Sequence, residues 1–220
     1  MDVREDTSVR AAVDFVLRRE GRLDVVVNNA GVGIAGAVEE TTPEEARDLF
    51  ETNFFGVHRV CRAVLPTLRA QGSGLIVNVS SLGGLVTIPF QGFYSASKFA
   101  LESMSEALRM ELKPHGVQVT LLEPGDFKTD FTANRVFAAG SRGESVYAER
   151  CRRAIAVMEH DERNGADPAA LARLLARLME RRSPRTRYPV GMFFQKLLVG
   201  CKRLLPAGLL ERGIMAYYKL

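Results

Sequence analysis

The sequence predicts an α/β fold, a doubly wound parallel sheet in a three-layer α/β/α arrangement. Three observations lead there. Helical and extended patterns alternate along most of the chain. The extended runs are continuously apolar, as strands buried on both faces are. Each run also ends in small or polar residues, at the sheet edge where ligands bind in such folds.

Taken in order, Val9, Val13, Val16 and Leu17 fall on one face of a first helix, with Asp6 as the expected cap and Gly21 as the end. Leu23-Asp24-Val25-Val26-Val27-Asn28 reads as the first strand, closed by Asn29-Ala30-Gly31. Thr42-Pro43-Glu44-Glu45 opens a second helix: a capping threonine, proline at the first helical position, then acids at the positive dipole end. That helix is expected over 42–69, with Gly72 and Gly74 beyond it. Leu75-Ile76-Val77-Asn78-Val79 is the next strand, followed by Ser80-Ser81. A helix over 94–113 ends at Pro114 and Gly116, and a third strand over 117–122 stops at Pro124-Gly125. Residues 126–143 read as a loop over the site, and 144–160 and 167–181 as helices, the second opened by Asp167-Pro168. A short last strand is expected at 187–190, then helices over 193–220 broken at Pro206 and Gly208. One domain, 1–220, thus carries substrate-facing loops and helices at 126–186 and C-terminal helices at 193–220.

Composition narrows the function classes. A chain of 220 residues, 46% hydrophobic and 25% charged, has the make-up of one soluble domain with a substantial core. Its formal charge of +4 is scattered, which argues against a nucleic-acid partner. Cys61, Cys151 and Cys201 lie far apart, and His58, His115 and His160 form no cluster, so no metal site is expected. This cysteine usage fits a reducing cytoplasm. The start, Met1-Asp2-Val3-Arg4-Glu5-Asp6, is too charged for a signal peptide, and no run of 18 apolar residues could span a bilayer. Phe193, Phe194, Leu197, Leu198, Leu204, Leu205, Leu209 and Leu210, with interspersed Lys and Arg, could form an interfacial membrane contact. Packing over a pocket or a partner subunit is the favoured reading of that segment.

The chemistry lies at the strand ends. Tyr94 and Lys98 stand four apart on a helix and share a face. An ammonium beside a phenol favours phenolate and makes tyrosine a usable general acid or base. Taken alone the pair is common on helix surfaces. In order, however, the chain carries Asn29-Ala30-Gly31 after a strand, Asn53 within a helix, Ser81 after the next strand, Tyr94-Ser95-Ala96-Ser97-Lys98, and Pro124-Gly125.

This ordered set resembles the short-chain dehydrogenase/reductase family, over nearly the whole chain from Asp2 to about Val190. Tyr94-Ser95-Ala96-Ser97-Lys98-Phe99-Ala100-Leu101 and Glu123-Pro124-Gly125 are most similar to steroid- and retinol-dehydrogenase-like members. The resemblance implies a Rossmann-like sheet, NAD or NADP as cofactor, and interconversion of an alcohol with a ketone or aldehyde on a small apolar substrate. It implies that Tyr94 exchanges a proton with the substrate oxygen. Lys98 would lower the Tyr94 pKa and bind ribose hydroxyls, and Ser81 would orient the substrate oxygen, with Ser80 as its competitor. Asn53 would hold a relay water. Asp2, Asn29, Ala30, Gly31, Pro124, Gly125 and Thr129 would contact the cofactor. Phe90, Phe93 and Phe131 are candidate substrate contacts. A homo-oligomer is implied as well.

One family feature has no counterpart. Members open with a strand, a TGxxxGxG-type loop and a helix that seat the pyrophosphate. Gly31-Val32-Gly33-Ile34-Ala35-Gly36 has the G-x-G-x-x-G spacing but opens no expected helix, and is rejected for that role. Roughly 60 residues of the first mononucleotide half are expected to be missing, with the residue that selects NAD or NADP. The strand at 23–28 would then be an open sheet edge. A start assigned too far downstream is the favoured explanation. The competing reading is an inactive fold remnant serving as a binding or regulatory module.

Overall fold

The computed structural model describes residues 1–202 and 204–220. Four strands form one parallel sheet: β1 (Val25–Asn28), β3 (Gly74–Val79), β4 (Val117–Pro124) and β6 (Arg187–Val190), side by side in that order. The register places Val26 opposite Ile76 and Ile76 opposite Val119. A two-strand sheet, β2 (Ile34–Ala35) with β5 (Val136–Phe137), stands apart from it. That small sheet falls partly inside the expected 126–143 loop. Two-residue strands carry no readable period.

Period-two side-chain alternation explains the three layers. Ile76, Val117 and Val119 pack on one face with α1 (Asp6–Glu20), α3 (Val57–Gln71) and α4 (Gly92–Leu112). Leu75, Val77 and Leu122 pack on the other with Leu171, Leu174, Leu175 and Leu178 of α6 (Pro168–Met179). Among the described residues no strand pairs with the outer edge of β1, where Val27 is partly exposed.

Local signals set most helix ends. Thr42 and Glu45 form a reciprocal capping box at the start of α2 (Pro43–Phe50). Asp167 caps α6 with Pro168 at its first position. Gly21 ends α1 in the left-handed region. The cap of α1, however, is Glu5, and Asp6 is its first residue, where its charge still meets the helix dipole. The expected 42–69 helix is two α segments joined by a π-helical stretch, Glu51–Gly56, which opens into α3. At the C-terminus α7 (Phe193–Cys201) and α8 (Ala207–Tyr217) meet at Pro206. Gly208 lies inside α8 rather than between helices. Between β5 and α6 lies α5 (Ala148–Arg163), whose Cys151, Ala154, Ile155 and Met158 pack against Ala35.

Candidate active site

The carboxyl ends of β3 and β4 open into a cavity of about 830 Å³. Asn29, Gly31, Ser81, Tyr94, Lys98, Pro124, Gly125 and Thr129 all line it. Residues separated by up to 100 positions therefore converge where a parallel sheet places its ligands. Asp2 and Ala30 do not line the cavity. The Asp2 carboxylate instead binds Arg4, through its backbone N at 2.9 Å and Nη2 at 3.1 Å. Of the three phenylalanines, only Phe131 reaches the cavity, its ring so close to Gly33 that a Cβ there would stand 2.8 Å from Phe131 Cζ. Phe90 packs toward α5 and Phe93 toward Ile34 and Leu49.

Asn53 lies one layer behind the lining, fully buried within the π-helical stretch. A π turn inserts an extra residue and rotates the helix face, which here drives an amide inward. Its Oδ1 accepts from Val32 N at 2.8 Å, and its Nδ2 donates to Val32 O at 2.9 Å and Ser97 Oγ at 3.1 Å. Ser97 in turn donates to Tyr94 O at 2.7 Å. Both amide protons are thus committed to protein, and only the second lone pair of Oδ1 is left for a water. Asn53 locks the segment after β1 to the Tyr94 helix, a connection the spacing of the motifs does not show.

Tyr94 and Lys98 line the cavity together. Lys98 Nζ donates to Val79 O at 3.0 Å and lies 5.9 Å from the centre of the Tyr94 ring. Burial raises the Tyr94 pKa above the ordinary phenol value, with the nearby Ser81 hydroxyl opposing the rise. Burial also pulls Lys98 down to about 8, against the attraction of Glu102. In this dry corner burial is the largest influence on both groups. Ser81 Oγ accepts from Gly83 N at 2.9 Å, so its own proton remains free to donate. Ser80 lines the cavity as well, with its hydroxyl beside Glu102.

Several buried polar groups escaped sequence reasoning. Asn28 donates to Asn78 at 2.8 Å and Asn78 to Ser105 at 2.8 Å, tying β1, β3 and α4 together. Behind Lys98, Glu102 and Glu123 are both buried, and Arg187 Nε reaches each at 3.0 Å. Burial raises both carboxyl pKa values, and their mutual repulsion raises Glu123 further. At the cavity wall burial lifts Asp126 to about 6, while its bond from Gln195 Nε2 acts the other way. Glu162 lines the same wall, paired with Arg135 and bonded by Thr132 Oγ1 at 2.6 Å. Isolated Glu, Asp and Arg in mixed-charge stretches give no sign of burial. The exception is Glu123, a lone acid at the end of an apolar strand.

The residues present fit the nicotinamide end of a dinucleotide. A Cβ on Gly31 would stand 3.5 Å from Asn53 Oδ1 and 3.6 Å from Lys98 Nζ, so the glycine keeps open a polar notch suited to ribose hydroxyls. Gly31–Gly36 contains β2 and is followed only by a single 3-10 turn, Val38–Glu40, before α2 begins at Pro43, in line with its rejection as a phosphate loop.

Residues 1–138 match the short chain dehydrogenase family. The chain belongs to the short-chain dehydrogenase/reductase family. It is 42% identical, over all of its length and 82% of the relative's, to a protein of Bacteroides thetaiotaomicron named 3-ketodihydrosphingosine reductase. A short-chain dehydrogenase from Streptomyces avermitilis superposes with a TM-score of 0.81 at 35% identity, covering 98% of this chain and 79% of that one. A family member from Burkholderia phymatum, solved in complex with NAD, gives 0.73 at 28% identity over 86% of this chain and 68% of that one. The Rossmann-like sheet is therefore the family's, and the chain is an NAD(P)-dependent oxidoreductase acting on CH–OH groups. No described helix is long and apolar enough to cross a membrane.

Proposed function

We propose that this chain interconverts a ketone and a secondary alcohol on a long-chain amphiphile whose polar end carries an amine. One observation carries the reading. The cavity runs from Ser81 and Tyr94 along apolar side chains of the C-terminal helices and the link between them, including Leu197, Leu198, Leu205 and Ile214, with carboxylates at its wall. Hydrocarbon fits the first part and an ammonium the second. The name of the Bacteroides relative points to the same kind of molecule.

The roles follow from the geometry. A bound nicotinamide cofactor supplies or accepts the hydride. Ser81, already accepting from Gly83, donates to the substrate oxygen and fixes it. Tyr94, kept protonated by burial, gives its proton to that oxygen in the reducing direction. Lys98 would leave the Val79 carbonyl for ribose hydroxyls at the Gly31 notch. Asn53 and Ser97 hold the Tyr94 helix in place throughout. Asp126 pairs with the ammonium: of the three wall acids, Glu162 is already neutralised by Arg135 and Asp130 is exposed to water, whereas Asp126 is partly buried.

Following NADH and NADPH oxidation with a 2-amino-3-keto long-chain substrate and its neutral deamino analogue tests this. The reading expects turnover of both, with the lower KM for the amine. Asp126→Asn should raise KM for the amine about tenfold and leave the neutral analogue unchanged. With Asp126 near 6, the discrimination should fade as pH drops below that value. Folded protein that binds NADH or NADPH but reduces neither ketone would overturn the proposal.

A further inference from the structure

We infer that the outer face of α7–α8 docks on an anionic membrane surface, from which the cavity is loaded. Docking itself does not depend on which substrate is reduced, whereas loading of the cavity rests on the long-chain substrate proposed above. Seven of the eighteen large apolar side chains exposed among the described residues fall within 193–220: Phe193, Phe194, Leu197, Leu198, Leu204, Leu209 and Tyr217. Phe193 and Leu197, four apart, share one face of α7. Phe193 is 77% and Leu204 82% exposed, values that ordinary packing over a pocket does not explain.

Charge points to the occupant. The segment holds five cations, Lys196, Lys202, Arg203, Arg212 and Lys219, against one acid, Glu211. Its surplus equals the +4 of the whole chain, so the remaining residues are balanced. Lys196, Arg212 and Lys219 are exposed, whereas Lys202 turns inward to bond Leu85 O. Exposed Phe and Leu beside Lys and Arg, on helices too short to span, is the composition of an interfacial contact with anionic lipid.

The same residues frame the cavity. Phe194, Leu197 and Leu198 are both exposed and part of its lining, so the apolar wall continues to the surface without a polar break. An alkyl chain leaving a bilayer through this rim need not cross water.

Vesicle flotation of the full chain tests the inference, using phosphatidylcholine vesicles with and without phosphatidylglycerol. Flotation is expected with the anionic vesicles and should weaken with salt. Phe193→Asp/Leu204→Asp/Leu209→Asp should reduce it about tenfold or more, as should Lys196→Glu/Arg212→Glu/Lys219→Glu. None of these side chains lines the cavity, and circular dichroism melts establish that each variant folds. The charge variant keeps the test open if the apolar one misfolds. No flotation of the wild type, or flotation unchanged in a folded variant, overturns the inference. So does a dimer in gel filtration that the apolar variant abolishes without any vesicle binding, because the face would then serve a second copy of the chain.

Discussion

Around Lys98, the side chains of Asn53, Ser97 and Glu102 are sealed from water and held by named partners, whereas across the cavity α7 and α8 contain no fully buried residue. The first region is cut into the core between β3, β4 and α4, and the second is laid over the opening. A proton donor must be held to within a fraction of an ångström, and buried hydrogen bonds do that. An alkyl chain needs only a dry surface of about the right width. The contrast predicts that substitutions in the corner act on kcat or on global stability, while those in the roof act on KM.

The largest effect should come from Tyr94→Phe. It removes one oxygen in a corner whose other contacts run through Tyr94 O and Ser97. Turnover should fall about 10²–10⁴-fold, with an unchanged melt and unchanged NADH or NADPH binding. Retained activity would move the proton donor elsewhere and dissolve the distinction between corner and roof.

Next is Arg187→Met, on β6 behind the corner. It leaves Glu102 and Glu123 buried without their cation. Such losses cost about 3–5 kcal/mol when fully buried. Arg187 is 30% exposed, so about 2–4 kcal/mol is expected in urea melts at pH 7. Glu123, raised to about 8, is already largely protonated at pH 7, so the loss should grow as pH rises past 8 and shrink toward acid, where Glu102 takes up its proton as well. A pH-independent loss would mean that Arg187 acts through packing of its stem.

How far the corner and the roof were legible differs for the same reason. Tyr94, Lys98, Ser81 and Asn29 stand in motifs whose order survives in one dimension, and the cavity lines up all four. The strands were readable because a sheet buried on both faces demands continuous apolar runs. The π-helical stretch was not, because Glu51-Thr52-Asn53 differs from an ordinary turn only in its hydrogen bonds. Nor was the attachment of Asn53 to Val32, or the isolation of Asp2 with Arg4, since both depend on contacts made in three dimensions. The roof was legible as helices and as apolar, yet its division between cavity lining and exposed surface emerges only from the fold.

Lys98 sharpens the comparison by setting stability against chemistry at one atom. Burial lowers its pKa from 10.5 to about 8, so the folded state binds fewer protons than the unfolded chain between those values. Stability therefore rises with pH across that window, and below pH 8 the full penalty of the buried ammonium is present. Lys98→Met removes that penalty and forfeits the bond to Val79 O. At pH 7 the variant should be about 1–3 kcal/mol more stable than the wild type while losing turnover. The advantage should fade between pH 8 and 10.5. A destabilised variant at pH 7 would show that the Val79 bond outweighs desolvation.

The smallest effect belongs to the roof. Ile214 lines the cavity from α8 and is only partly buried. Ile214→Ala deletes apolar surface that a bound alkyl chain would cover, worth about 1 kcal/mol. KM for the long-chain ketone should rise about three- to tenfold, with kcat and the melting temperature nearly unchanged, and a short ketone should not sense the change. The separation of KM from kcat is the informative part. Truncation of a wall that only encloses substrate weakens ground state and transition state alike, whereas a wall that aligns the carbonyl on Tyr94 would lose kcat as well. A fall in kcat for the long ketone alone would make α8 part of the aligning machinery, and the boundary between corner and roof would then run through the substrate rather than through the protein.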